Sequence, residues 1–173
     1  RKNMGVEIGL EYQITSTLKA TGVAAIGQYT IDSNPNVQLN ADFVRRTINY
    51  GTSTLKNYKL AGMPQQAYSV GLEYRDPKFW FIGANVNYLA DNYLDISAIM
   101  RTNNFFNNDQ VPIDNIPIPN VDEQLARQYL RQEKFEDFFM LNLTGGKSWR
   151  ISSKNRNTFG FFASINNLLD IKY

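Results

Sequence analysis

The chain contains no cysteine and no histidine. Without cysteine there is no disulfide framework, no thiol nucleophile and no thiolate-ligated metal site. Without histidine the usual general base near neutral pH is missing, and so is the commonest transition-metal ligand. Neither a Ser-His nor a Cys-His nucleophile can be assembled from these residues. No apolar run approaches the roughly 18 residues that a membrane-spanning helix needs. Charge of neither sign dominates: a net +2 argues against a nucleic-acid or other polyanion-binding surface. What the chain has in quantity is aromatic residues, at 13%, and asparagine. The missing helical span does not exclude a membrane protein. A barrel strand needs only about ten residues, and half of them can be polar.

Alternation at a period of two organises most of the chain. In "MGVEIGLEYQI" (4–14), Val6, Ile8, Leu10 and Tyr12 share one face, opposite Glu7, Gly9, Glu11 and Gln13. "TST" (15–17) is a polar turn, and "LKATGVAAIGQYT" (18–30) reads as a second strand of undecided facing. "QAYSVGLEY" (66–74) sets Tyr68, Val70, Leu72 and Tyr74 against Ala67, Ser69, Gly71 and Glu73. A turn at "RDPK" (75–78) leads into "FWFIGANVNYLADNY" (79–93), with Trp80, Ile82, Ala84, Val86 and Tyr88 opposite Gly83, Asn85 and Asn87. "DFFMLNLTGGKSW" (137–149) and "TFGFFASINN" (158–167) complete six strands of about ten residues, the length a tilted membrane strand requires.

The connections alternate as well. Short polar segments join the first strand to the second, the third to the fourth and the fifth to the sixth. Long ones, 31–65 and 94–136, join the second to the third and the fourth to the fifth. Two structureless connections of this length are unusual in a soluble domain, whereas outer-membrane barrels pair short periplasmic turns with long outer loops. Within the second loop, "VPIDNIPIPN" (111–120) is too interrupted by proline for a helix or a central strand. "VDEQLARQYLRQEKF" (121–135) predicts a short helix lying against the loop through Val121, Leu125 and Tyr129.

Alternation alone does not say which face meets water. Two bands of rings favour the membrane: Tyr12, Tyr74, Trp80, Trp149 and Phe159 near the short-turn ends, and Tyr29, Tyr68, Tyr88, Tyr93 and Phe138 near the long-loop ends. The face carrying Glu7, Glu11, Glu73, Asn85, Asn87 and Asn142 suits a hydrated lumen. The expected fold is therefore all-β, an antiparallel transmembrane β-barrel segment. Six strands cannot enclose a hydrated or plugged lumen, and open edges in lipid leave amides unpaired at several kcal/mol each. Residues 1–173 are thus expected to be part of one barrel domain completed by strands on both sides.

Five stretches carry a family likeness: "GVEIGLEYQITSTLKATGVAAIGQYT", "AGMPQQAYSVGLEYRDPKFWFIGANVNYLADNYLD", "RTNNFF", "QEKFEDFFMLNLTGGKSW" and "FFASINNLLDIKY". Together they resemble the C-terminal barrel region of TonB-dependent outer-membrane receptors, of the Bacteroidota type with a carboxypeptidase-regulatory-like N-terminal domain. "INNLLDIKY" is similar to the signature that precedes the last strand of such receptors. The resemblance implies a plugged barrel of about 22 strands, with the N-terminal plug and the final strand missing from this segment. It implies outer-membrane location, lipid contact, and active uptake of a scarce nutrient driven by the TonB complex through the missing N-terminal region. Enzyme activity and a cofactor are not expected. The ligand stays open among siderophore, glycan, peptide and cobalamin, as does a surface lipoprotein over the barrel. Loops 31–65 and 94–136 would then both be extracellular. The alternatives are a passive porin-like barrel and a secreted soluble β-sandwich that binds carbohydrate or protein.

Candidate ligand contacts are Tyr93, Phe105 and Phe106, which can stack on a sugar or peptide, and Glu7, Glu11 and Glu73 on the polar face. The plainer reading makes the rings loop packing and the carboxylates wall charges paired with neighbours or water. Carboxylates four residues apart on a strand stand ~13 Å apart, too far for a glycosidase pair. Asp109, Asp114 and Asp122 match no calcium-loop spacing. "NLT" (142–144) falls inside a strand, so its glycosylation pattern is chance, and "LTGGKS" fails the phosphate-loop spacing.

Overall fold

The computed structural model describes residues 1–41, 46–102, 123–151 and 157–172. The chain is all-β and mostly antiparallel. Among the described residues eight strands form: β1 (Lys2–Gln13), β2 (Leu18–Thr30), β3 (Asn36–Ala41), β4 (Arg46–Thr52), β5 (Gln66–Asp76), β6 (Trp80–Ala90), β7 (Phe138–Arg150) and β8 (Thr158–Ile165), together with a 3-10 turn at Ile99–Arg101 and one short α-helix, α1 (Glu123–Tyr129). Two compact units result, a sheet unit of Gly5–Gly27, Pro64–Asn92 and Glu136–Tyr173, and a loop unit of Arg1–Met4, Gln28–Met63 and Tyr93–Phe135. Among the described residues no helix is long and apolar enough to cross a membrane, which says nothing of strands.

The sheet unit is built on one six-stranded sheet in the order β1-β2-β5-β6-β7-β8, open rather than closed into a barrel. Register decides the facing that the sequence of β2 left undecided. Ala20 pairs with Leu72, Gly22 with Val70 and Ala24 with Tyr68, so these small residues join the apolar face. Val70–Val86–Leu141 and Leu72–Ala84–Leu143 continue that face across β5, β6 and β7, and Leu143 meets Ile165 of β8. The face is uncovered: Leu10 is 72% exposed, Val70 65%, Ile82 53% and Phe161 57%. In water such a surface contributes no folding energy, because burial of apolar area is what stabilises a sheet.

Rings stand at both ends of that face. Tyr74 lies 5.2 Å from Trp80, and Trp149 lies 6.1 Å from Phe159 and 5.8 Å from Phe161. At the opposite end Tyr68 lies 6.2 Å from Tyr88. Register also puts Lys147 on the apolar face, opposite Trp80 and Phe161, where its Nζ rests 5.6 Å from the Trp149 ring. A long cation near a ring band can lay its stem on the apolar surface and lift its charge out.

The turns are specific. Phe79 N donates to Asp76 O at 3.0 Å and Lys78 N to the Asp76 carboxylate at 2.8 Å, so the reversal sits at residues 77–79, later than "RDPK" suggested. "NNLLD" folds as a turn that ends β8: Asn167 N donates to Asn142 Oδ1 (2.9 Å), and Asn167 Nδ2 donates to Ile171 O (3.0 Å). Asn167 and Asp170 both take positive φ, which their short polar side chains tolerate. Gly146 is required by packing, since a Cβ there would lie 2.8 Å from the Phe161 carbonyl oxygen.

The loop unit corrects the expectation that residues 31–65 are structureless. β3 and β4 pair as an antiparallel hairpin, with Leu39 opposite Ile48 and a shift at Val37/Gln38 that leaves Tyr50 as the extra residue. Gly51 takes the positive φ this bulge needs, and its N–H donates to Asn49 Oδ1 at 2.9 Å. The described parts of 94–136 are not structureless either: Tyr93 bridges to Lys134, and Ser53 bridges to Thr102. The helix expected over 121–135 is only α1, and Tyr129 is 74% exposed, so the expected apolar stripe does not pack through it. Val121 lies outside the described residues. A seven-residue helix is too short to stand alone. Arg127 holds it instead, donating to Lys56 O at 2.8 Å with its guanidinium 4.9 Å from the Tyr58 ring.

Candidate functional site: the polar face of the sheet

Opposite the apolar face, the same pleat lines up Lys19 and Thr21 on β2, Gly71 and Glu73 on β5, Gly83 and Asn85 on β6, and Asn142 and Thr144 on β7. Charges alternate across it. Lys19 Nζ lies 3.3 Å from Glu11 Oε2, Lys19 is the direct cross-strand partner of Glu73, and Arg75 Nε lies 2.6 Å from Glu73 Oε1. Two of the sequence-predicted carboxylates, Glu11 and Glu73, are therefore brought to either side of one lysine. Each already has a cation, Lys19 for Glu11 and Arg75 for Glu73. Glu7 is exposed and four residues further along β1, outside this cluster.

Next to the charges is a hollow of about 170 Å³. Its floor is Gly71 and Gly83. A Cβ on Gly71 would sit 2.7 Å from Thr21 Oγ1, and one on Gly83 would sit 3.1 Å from Thr144 Oγ1, so side chains at these two positions would fill it. Lys19, Thr21, Glu73, Asn85 and Thr144 supply its polar rim. Two hydroxyls, one amide and a pair of opposite charges can donate to and accept from a hydroxyl-rich or zwitterionic solute, or from ordered water. The hollow becomes visible only once register sets the two glycines beside the two threonines. In the sequence, alternate glycines on separate strands carry no such signal.

Tyr93 belongs to the loop unit, where it is half-buried and engaged in the bridge to Lys134. Phe105, Phe106, Asp109, Asp114 and Asp122 lie outside the described residues. Among the described residues no group of His, Cys, Asp and Glu could hold a metal ion. No family model, curated protein or solved structure matches this chain.

Proposed function

We propose that this chain is a segment of the barrel wall of a TonB-dependent outer-membrane receptor that imports a scarce nutrient. The observation that carries the reading is the apolar face, uncovered across all six strands and bounded by rings at both ends. Phe139 and Trp149 stand ten residues apart on β7. That is about 33 Å along the strand, or roughly 25 Å of height at the usual tilt, the height of an outer-membrane apolar band. The polar face with its alternating charges then borders a hydrated lumen, and the hollow over Gly71 and Gly83 gives solute a place to form hydrogen bonds. β1 and β8 have open outer edges, which lipid requires to be paired with further strands. Register also brings Ile26, Gln66 and Ala90 side by side, with Leu89 paired to Phe138. Both long connections therefore leave the sheet at one end, as extracellular loops do. The sequence likeness favours a receptor over a porin.

The absence of cysteine makes the facing directly testable. Single cysteines at Val70 and Ile82 should resist a membrane-impermeant maleimide in intact outer membranes, while cysteines at Ser69 and Asn85 should react. Equal reactivity on both faces would remove the barrel reading. Uptake that survives collapse of the inner-membrane proton gradient would replace the receptor by a passive pore.

A further inference from the structure

In the loop unit the two long connections are tied to each other at many points. Ser53 and Thr102 are both fully buried and bridge one another; Ser53 Oγ donates to Ala98 O at 2.6 Å, and Thr54 N donates to Arg101 O at 2.8 Å. Gln132 acts as a surrogate ladder residue: its Oε1 accepts from Lys59 N (2.8 Å), while its Nε2 donates to Lys59 O (2.9 Å) and to Leu94 O (2.8 Å). Arg101, only 8% exposed, donates to Ser97 O (3.0 Å) and Leu130 O (2.8 Å) and lies 5.0 Å from the Tyr58 ring. Tyr58, itself 8% exposed, returns its hydroxyl to Leu130 O at 3.2 Å. Arg127 takes the same ring. The buried Arg101 guanidinium is thus held by carbonyl oxygens and a π face, with its Nε left without a partner.

We infer that the described parts of the two connections, 31–41 with 46–63 and 93–102 with 123–135, move as one body pinned at Arg101, Tyr58 and Gln132, so that a ligand engaging either connection is felt by both. The reason is that the seam is crossed at several buried points: Ser53 Oγ to Ala98 O, Thr54 N to Arg101 O, the Tyr58 hydroxyl to Leu130 O, and the Gln132 amide to both backbone groups of Lys59. Separating the two would break these bonds and take the Tyr58 ring away from the buried Arg101 at once, so partial opening is disfavoured relative to opening together. The inference does not depend on the membrane reading.

Amide hydrogen exchange on the full chain, in the lipid or detergent where it folds, tests it with two variants. In R101M the amides of Leu55 and Lys56, which donate to Asn34 and not to Arg101, should exchange about tenfold faster or more. In Q132A the amides of Thr54 and Thr102 should speed up together with that of Lys59. The amides of Leu72 and Val86 in the sheet serve as the folded reference for both. If acceleration in Q132A stops at Lys59 and Leu94, or in R101M stays within 97–102, the connections are independent and the inference fails. Should R101M lose the sheet protection, Q132A decides alone.

Discussion

The sheet unit and the loop unit bury opposite things. In the sheet, large apolar residues stand open to solvent: Leu10 at 72%, Val6 at 65% and Val70 at 65%. In the loop unit, the residues most completely hidden are polar, Ser53 and Thr102 at 0%. A soluble domain does the reverse in its strands and leaves its connections solvated. On the proposed reading, the difference teaches that the two units take their stability from different solvents. The sheet is held by backbone ladders with its apolar face uncovered, whereas the loops are closed by buried hydrogen bonds between their own residues. Apolar area, the usual source of folding free energy, is spent outward here.

The largest effect should come from charging the open face. Val70→Arg is expected to cost about 2–4 kcal/mol in lipid if it sits near the midplane, while Ser69→Arg, its neighbour on the polar face, should cost under ~1 kcal/mol. Urea titration of the refolded protein in vesicles measures both. Equal costs at the two positions would abolish the distinction between faces, and with it the contrast between the units.

Next in size is the loop seam. Ser53→Ala removes the donor to Ala98 O and leaves that carbonyl without this partner in a closed site, for an expected loss of about 1–3 kcal/mol. Protection of the Thr54 and Thr102 amides reads it, and sheet amides should not change. A smaller loss follows Trp149→Ala, which removes the contacts with Phe159 and Phe161. Ring pairs of this kind add about 0.5–1.5 kcal/mol beyond area. The loss should be larger in bilayers than in detergent, because only a bilayer has an interface to anchor to.

Much of the sheet was legible because period-two alternation survives in nearly every strand. The facing residues of β1, β5, β6, β7 and β8 follow directly from Val6 through Ile165 counted by twos. β2 was not legible, since Ala20, Gly22 and Ala24 say nothing about facing until Leu72, Val70 and Tyr68 are set against them. The β3–β4 hairpin stayed hidden because "NVQLNA" and "RTINYGT" are short and mostly polar, with a bulge that breaks their phase at Tyr50. Of the site, the carboxylates of Glu11 and Glu73 could be named from pattern. Their shared neighbour Lys19, the glycine-floored hollow and Lys147 on the apolar face all depend on cross-strand register, which a single sequence does not carry.

Phe79 gives the finest test of the two-solvent comparison. It takes φ +64° in the β5–β6 turn, a left-handed position that bulky residues rarely occupy, and it is 63% exposed, so little packing among the described residues offsets the strain. Glycine fits that conformation freely. Phe79→Gly should therefore stabilise the hairpin by about 1 kcal/mol in detergent micelles. Phe79 directly precedes Trp80, however, whose ring meets Tyr74 at the short-turn end of the sheet. In bilayers removal of the Phe79 ring should give back most of that gain, for a net change near zero. The measurement is the difference in urea midpoint between wild type and variant in the two environments. A gain of the same size in both would mean that the Phe79 ring does nothing at an interface, and that the strain at this turn is borne for some other reason.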